Sequence, residues 1–420
     1  MDTFRRIDAC RICGNTGLAP IVSLGEQYLT GVFPRTRGEV LTRGPLTLVK
    51  CTGNTEACGL VQLQHSYTPA EMYGDRYGYR SSLNKSMVAH LQLKAQKLLR
   101  LAPLRDGDVV LDIGSNDGTL LSFYPGSLVR VGMDPTAAKF SRYYQPGIQF
   151  VSDFFSAKQF DSEFGGKKAN IVTSIAMFYD LDNPLAFIEE IGRILHDDGI
   201  WHFEQSYMPR MLETGGYDTI CHEHVEYYAL SQIDWMMRRS GMRILDVELN
   251  DVNGGSFGVT VCKDAARFPS ATQAVNQILA AEELSGLRTS APFEKFASRV
   301  QQHREELPSL LSHISSSGCS TLGYGASTKG NVILQFCGIT SADLPFIAEV
   351  NEEKFGAFTP GTGIPIISEQ QAQAMMPDYF LALPWHFRST LLDRERDFLE
   401  RGGKMIFPLP EIEVVQRQSR

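Results

Sequence analysis

The chain has 420 residues, which at ~150 per domain allows about three domains. Its 43% hydrophobic and 21% charged composition excludes wholesale disorder and fibrous repeats. The formal net charge of −8 leaves no broad basic face, so nucleic acid is not an expected partner. No stretch approaches the ~18 consecutive apolar residues of a membrane span. Met1 to Arg11 lacks the apolar segment of a secretory signal, so the expectation is a cytoplasmic protein with no membrane contact.

Four of the eight cysteines fall in the first 58 residues, as Cys10 and Cys13 followed by Gly14, then Cys51 and Cys58 followed by Gly59. Four thiolates close a tetrahedral structural zinc site and leave no open position for catalysis. A glycine after the second cysteine of each pair relieves crowding where the backbone turns under a metal. The spacing from Cys51 to Cys58 is wider than usual, and free buried thiols are the alternative. After the strand pattern Leu60 to Leu63, Tyr67, Tyr73, Tyr77 and Tyr79 are interleaved with glycines. They read either as phenols presented to a polar ligand or as a packed loop between domains.

Apolar residues at helical spacing predict a helix from Asn84 to Leu101. The strand Val109 to Ile113 then enters the loop Gly114-Ser115-Asn116-Asp117-Gly118, a helix is expected next, and the strand Leu128 to Met133 ends at Asp134. This is the first half of a doubly wound nucleotide-binding sheet, with the acid placed to accept from ribose hydroxyls. The loop lacks the third glycine of the dinucleotide fingerprint and carries Asp112 and Asp117 beside it. Carboxylates repel a pyrophosphate and attract an ammonium or sulfonium, so S-adenosylmethionine fits better than NAD. Asp153 and Phe154, ending a strand at Val151, suit adenine. Ala176 and Met177 end the uncharged strand from Ala169, at the carboxyl edge where such sheets bind ligands. A helix over 183–195 and strands over 200–205 and 257–262 complete this part, with Asn253 in the turn before the last.

The run Cys221-His222-Glu223-His224 is denser in ionisable groups than core packing requires. It is not the zinc-protease motif, whose histidines are four residues apart. A histidine with a neighbouring carboxylate near the cofactor can serve as a general base, the alternative being a structural hydrogen-bond cluster.

Residues 265–313 read as a helical connector. The earlier layout then recurs: a strand, the loop Gly323-Tyr324-Gly325-Ala326-Ser327-Thr328-Lys329-Gly330, a helix bearing Asn331, and a strand over 344–351 bearing Glu349. Lys329 and the helix-start N–H groups favour an anion such as a diphosphate. A further buried strand opens at Trp385, and the last runs from Gly402 to Leu409. Read alone, the Gly-x-Gly-Ala loop suggests an NAD-dependent oxidoreductase.

Taken together, the four-cysteine segment, the Gly114–Gly118 loop, the His222–His224 run and the Gly323–Gly330 loop resemble the sugar C-methyltransferase family. Its members act on nucleotide-linked 4-keto-deoxysugars, and the resemblance covers nearly the full chain. It implies an α/β protein with two Rossmann-like doubly wound sheets, the first a class I methyltransferase domain, and a small N-terminal zinc domain. The expected divisions are residues 1–80, 81–264 and 265–420, in a monomer. The resemblance implies S-adenosylmethionine in the middle domain and a sugar nucleotide between the middle and C-terminal domains. It makes His224 the base and Glu223 its support, with Tyr77 and Tyr79 closing over the sugar and tyrosine hydroxyls or His222 stabilising the oxyanion. Ser82, Asn253, Lys329, Asn331, Glu349 and Trp385 are the expected substrate contacts. The chain departs from the family in having Cys221 where a tyrosine precedes the run, Met177 where a histidine is usual, and a longer zinc loop. These departures leave C-3 or C-5 methylation, or another carbonyl-activated acceptor, open.

Overall fold

The computed structural model describes residues 3–53, 56–68, 72, 80–269, 271 and 273–417. Two open α/β sheets carry the middle and C-terminal parts, and a β-rich N-terminal part packs against both. In the seven-stranded middle sheet the spatial order is Ile148–Val151, Val129–Met133, Val109–Ile113, Ala169–Ile175, Leu195–Ser206, Ser256–Lys263 and Met242–Asn250. Its first five strands are parallel, and Ser256–Lys263 runs antiparallel to both neighbours. The six-stranded C-terminal sheet has the order Ile366–Ser368, Ile347–Glu349, Thr321–Tyr324, Tyr379–Ala382, Lys404–Phe407 and Glu413–Val415, parallel except for its last strand. In each sheet the first strand of the repeat lies centrally, between later strands that wind away in opposite directions. That reversal opens a crevice at the strands' carboxyl ends.

The local sequence accounts for most elements. Asn84 caps the helix Lys85–Leu101 by accepting from Ser86 N and Met87 N, and Asn183 caps Pro184–Ile194 in the same way. Burying Met87, Leu91 and Leu98 on the sheet contributes ~1.5–3 kcal/mol each. The buried stripe of that helix also contains Lys94, whereas Leu93, which the apolar pattern included, faces solvent. Lys94 enters a charged network with Glu204 at 2.6 Å and with Glu248, while His90 Nε2 lies 2.5 Å from Glu204. Thus one face of the middle sheet is held to its helix by ion pairs as well as by apolar contact.

The expected helix after Gly118 is only a short turn, Leu121–Phe123. Pro125 follows too soon, and a residue before proline is pushed out of the helical region; Tyr124 has ψ 146°. The connector forms two helices, Gln273–Leu284 and Ala291–Ser316. The N-terminal sheet consists of Leu18–Tyr28, Arg43–Cys51 and Val61–Leu63, and its fourth strand, Glu226–Tyr227, comes from the segment just after His224. The base candidate is therefore fastened to the N-terminal part by backbone pairing. No helix among the described residues is long and apolar enough to cross a membrane.

Candidate functional site

The four cysteine sulfurs converge within 4.8 Å of one another. Cys10 Sγ and Cys58 Sγ are 3.5 Å apart, as are Cys13 Sγ and Cys51 Sγ. Zinc–sulfur bonds of ~2.3 Å in a tetrahedron set sulfurs ~3.8 Å apart, so this group fits Zn2+. The wide spacing closes because Cys51 N donates to Leu60 O at 2.8 Å, which returns Cys58 to the cluster. Gly14 and Gly59 take φ of 71° and 76°, the left-handed turns that the sequence position suggested. Gln232 Nε2 donates to Cys58 O at 3.0 Å, so the zinc knuckle rests on the middle part.

At the carboxyl edge of the middle sheet, Gly114 has φ 73°, and a Cβ there would come within 3.2 Å of Met177 Cγ. Only glycine lets the loop pass this close to the turn bearing Ala176 and Met177. Asp134 reaches back under the loop, its Oδ2 accepting from Asn116 N at 2.8 Å and its Oδ1 from Thr136 N at 2.6 Å. Ser115 meets the Tyr144 hydroxyl at 2.8 Å. Asp117 Oδ2 accepts from Ser82 N at 3.0 Å and Asn116 Oδ1 from Ser81 N at 3.0 Å, so Ser82 lies over the cofactor loop. Asp112 is buried, with Thr173 Oγ1 donating to it at 2.6 Å. Burial pushes its carboxyl up to about 7; Thr173 opposes the shift, and the charges of Asp134 and Asp117 add to it. A sheet edge with three clustered carboxyl groups favours a cationic ligand, which is what the sulfonium and ammonium of S-adenosylmethionine supply. Asp153 and Phe154 are exposed at the end of their strand.

The His-Glu-His run spreads its side chains in different directions. His222 is fully buried in the N-terminal part, with its Nε2 3.4 Å from Gly44 O and its ring edge-on to Tyr67. Burial holds it down to about 4. Cys221 is buried. Burial raises the Glu223 carboxyl. A Cβ on Gly31 would lie 3.1 Å from Glu223 Oε1 and 4.0 Å from Thr328 Oγ1, so all three parts of the chain meet here. His224 donates from Nδ1 to Thr219 O at 2.8 Å, and its ring packs edge-on against Tyr179 at 4.4 Å. With the single proton of a neutral imidazole on Nδ1, Nε2 keeps its lone pair. Burial lowers this imidazole to about 4, the Thr219 carbonyl opposes that, and Lys329 adds to it.

Between the middle and C-terminal sheets a cleft is lined by residues that include Asp218, Thr219, Asn253, Lys329 and Trp385. Lys329 Nζ donates to Asn253 O at 2.5 Å, and Trp385 Nε1 to Asp218 Oδ2 at 2.7 Å. Burial raises the Asp218 carboxyl and Lys329 opposes that rise. Asn253, Lys329 and Trp385 are thus brought together in the cleft lining, while Asn331 and Glu349 are not in it and bond elsewhere. Asn331 Nδ2 donates to Thr30 O at 2.7 Å, and Glu349 accepts from Ala326 N, Val350 N and Asn351 N. Glu349 staples its glycine loop much as Asp134 does in the middle sheet. Tyr77 and Tyr79 lie outside the described residues. Sequence reading gave no role to Tyr179, Asp218 or Thr219. A lone aspartate between Tyr217 and Thr219 was the available signal for the second of these.

Three family models match successive segments of the chain. The model "Putative zinc binding domain" matches residues 10–73, "Methyltransferase domain" matches 87–247, and "C-methyltransferase C-terminal domain" matches 251–410. The chain is 31% identical to C-methyltransferase NovU of Streptomyces niveus over 425 aligned residues, covering 100% of this chain and 99% of that one. Among solved structures, the plantazolicin methyltransferase BpumL in complex with SAH is 13% identical, with a TM-score of 0.33 over 42% of this chain and 82% of that one. An O-methyltransferase family protein from Burkholderia thailandensis is 16% identical, with a TM-score of 0.33 over 43% and 59%.

Proposed function

This chain belongs to the S-adenosylmethionine-dependent C-methyltransferase family, with a zinc-binding N-terminal part, and from that premise we propose that its acceptor is a nucleotide-linked 4-keto-deoxysugar methylated at the carbon next to the ketone, C-3 favoured over C-5. The observation that carries the reading is the tautomer of His224. Its Nδ1 proton is committed to Thr219 O, so Nε2 is the free basic nitrogen. The ring packs on Tyr179, two residues past Met177, and bonds Thr219, which lines the cleft together with Lys329.

When bound, S-adenosylmethionine supplies an electrophilic methyl group; Asp112, Asp117 and Asp134 with the Gly114–Gly118 loop would hold it. His224 Nε2 takes the proton from the carbon beside the ketone. A low basicity, about 4, leaves the imidazole unprotonated at neutral pH. A C–H beside a ketone yields to such a weak base only if the developing oxyanion meets a donor. Tyr77 and Tyr79 are that donor set in this reading, because His222 is turned into the N-terminal sheet. The cleft supports a sugar nucleotide, with the Lys329 ammonium suited to a diphosphate and the Trp385 indole to a ring face.

The test is incubation with a dTDP-linked 4-keto-deoxysugar in deuterium oxide. Exchange at one carbon beside the ketone is expected, at C-3 for the favoured assignment and at C-5 otherwise. His224→Asn should abolish exchange and methyl transfer while S-adenosylhomocysteine affinity stays within about threefold. Full activity in that variant refutes the base assignment.

A further inference from the structure

Resting on the reading of His224 as the base, we infer that the C-terminal part of the chain positions that base, by clamping the turn Tyr217–Thr219 whose carbonyl fixes the imidazole. The turn belongs to the excursion between the middle-sheet strand Leu195–Ser206 and the His-Glu-His run, yet its holding partners come from beyond residue 300. Thr219 O accepts from His224 Nδ1 at 2.8 Å and from the Tyr227 hydroxyl at 3.3 Å. Just before it, the Asp218 carboxylate accepts from Trp385 Nε1 at 2.7 Å. One residue earlier, the Tyr217 hydroxyl lies 2.9 Å from His303 Nδ1, and His303 Nε2 lies 2.7 Å from Pro408 O.

The direction of the last bonds follows from the partners. A carbonyl only accepts, so the proton of a neutral His303 sits on Nε2, and Nδ1 must accept from the tyrosine hydroxyl. Tyr217 is 0% exposed and Asp218 1%, which makes each of these bonds costly to leave unmade. The turn therefore has two anchors in the C-terminal part and one output, the Thr219 carbonyl. If that carbonyl moves, the imidazole is free to take its other tautomer, with the proton on Nε2 and no lone pair toward the substrate. Asp218 and Tyr217 are positioning residues for His224. In this arrangement the same docking that forms the Lys329 cleft also completes the base, so acceptor binding and proton abstraction depend on one interface.

The inference is tested on the full-length, zinc-loaded protein with Asp218→Ala, Asp218→Asn and Tyr217→Phe. The asparagine retains an acceptor for Trp385, and the phenylalanine removes only a hydroxyl remote from the cleft. With a dTDP-linked 4-keto-deoxysugar as acceptor, Asp218→Ala should lose at least ~10-fold in kcat, and Asp218→Asn should recover most of it. Tyr217→Phe should lower kcat by ~3-fold or more with KM and S-adenosylhomocysteine affinity little changed. Nitrogen-15 spectra of histidine-labelled protein, with the His224 signals identified by their loss in His224→Asn, should show the Nδ1–H tautomer in the wild type. A mixture of tautomers is expected in Asp218→Ala and Tyr217→Phe. Should Asp218→Ala not fold, Tyr217→Phe carries the same readouts. An active His224→Asn overturns the base assignment itself. An inactive His224→Asn beside variants with unchanged kcat and an unchanged Nδ1–H signal overturns the clamp and leaves the base assignment standing.

Discussion

Glu204→Gln probes the charged network beneath the cofactor edge, and its cost can be worked from the geometry. Lys94 Nζ lies 2.6 Å from Glu204, and the Lys94 side chain is only 5% exposed. At that distance, with an effective dielectric of ~20, the gross attraction is roughly 6 kcal/mol. Much of it offsets the desolvation of both groups, and breaking a buried pair from one side costs ~3–5 kcal/mol. Glu248 remains on Lys94, so the lower end, about 3 kcal/mol, is expected. Urea unfolding followed by tryptophan fluorescence reads it, because Trp201 is fully buried on the same strand. Lys94→Met removes the stranded charge, so the double variant should fall short of the summed single losses by ~2 kcal/mol. Burial raises the Glu204 carboxyl, but His90 and Lys94 outweigh it and hold the group at about 2 against an ordinary 4.5. Its contribution is thus present above pH 4.5 and lost as the pH falls toward 2. A stability loss below ~1 kcal/mol, or single losses additive within ~0.5 kcal/mol, would show that the network is not what holds this face together.

Elemental analysis should find one zinc per chain, and Cys13→Ser or a strong chelator should remove it and expose the 10–73 segment to protease. Gly114→Ala forces a side chain into φ 73° and against Met177, so stability should fall by ~1–2 kcal/mol and S-adenosylhomocysteine affinity at least ~10-fold, measured by calorimetry; wild-type affinity would contradict the placement of the cofactor. His222 is held by burial at about 4 against an ordinary 6.5, so the unfolded chain takes up its proton first, and its contribution, complete above 6.5, is lost as the pH falls through 4. From about pH 8 to about pH 5 this amounts to ~2 kcal/mol, and the stability profile of His222→Gln should be flatter than wild type by that amount.

The zinc ligands were legible because cysteine pairs followed by glycine state both the ligands and the turns they need. The cofactor loop was legible because a strand, a glycine turn and a second-strand acid are local in sequence, and both Asp134 and Glu349 do sit at their strand ends and bond their loops. Periodicity could not show that Lys94 joins the buried stripe, since its partners Glu204 and Glu248 lie more than a hundred residues away. The same limit applied to His222 and His224. Two residues apart in one run, they differ only by resemblance in what the sequence assigns them, His224 as base and His222 as a possible oxyanion donor, yet one faces Gly44 in the N-terminal sheet and the other Thr219 beside the cleft.

The sequence by itself determined the chemistry each segment can offer: thiolates for a metal, an acidic glycine loop for a cationic cofactor, a lysine-bearing loop for an anion, and imidazoles for proton transfer. Those properties reside in residue type and short spacing. Only the tertiary structure decided that His222 faces Gly44 while His224 faces Thr219, that Asp218 belongs to the cleft, and that Asn331 and Glu349 bond to the protein. These depend on which distant carbonyl or carboxylate fills each hydrogen-bonding position. That pairing is set when the three parts of the chain pack around the Tyr217–Thr219 turn and the strand Glu226–Tyr227.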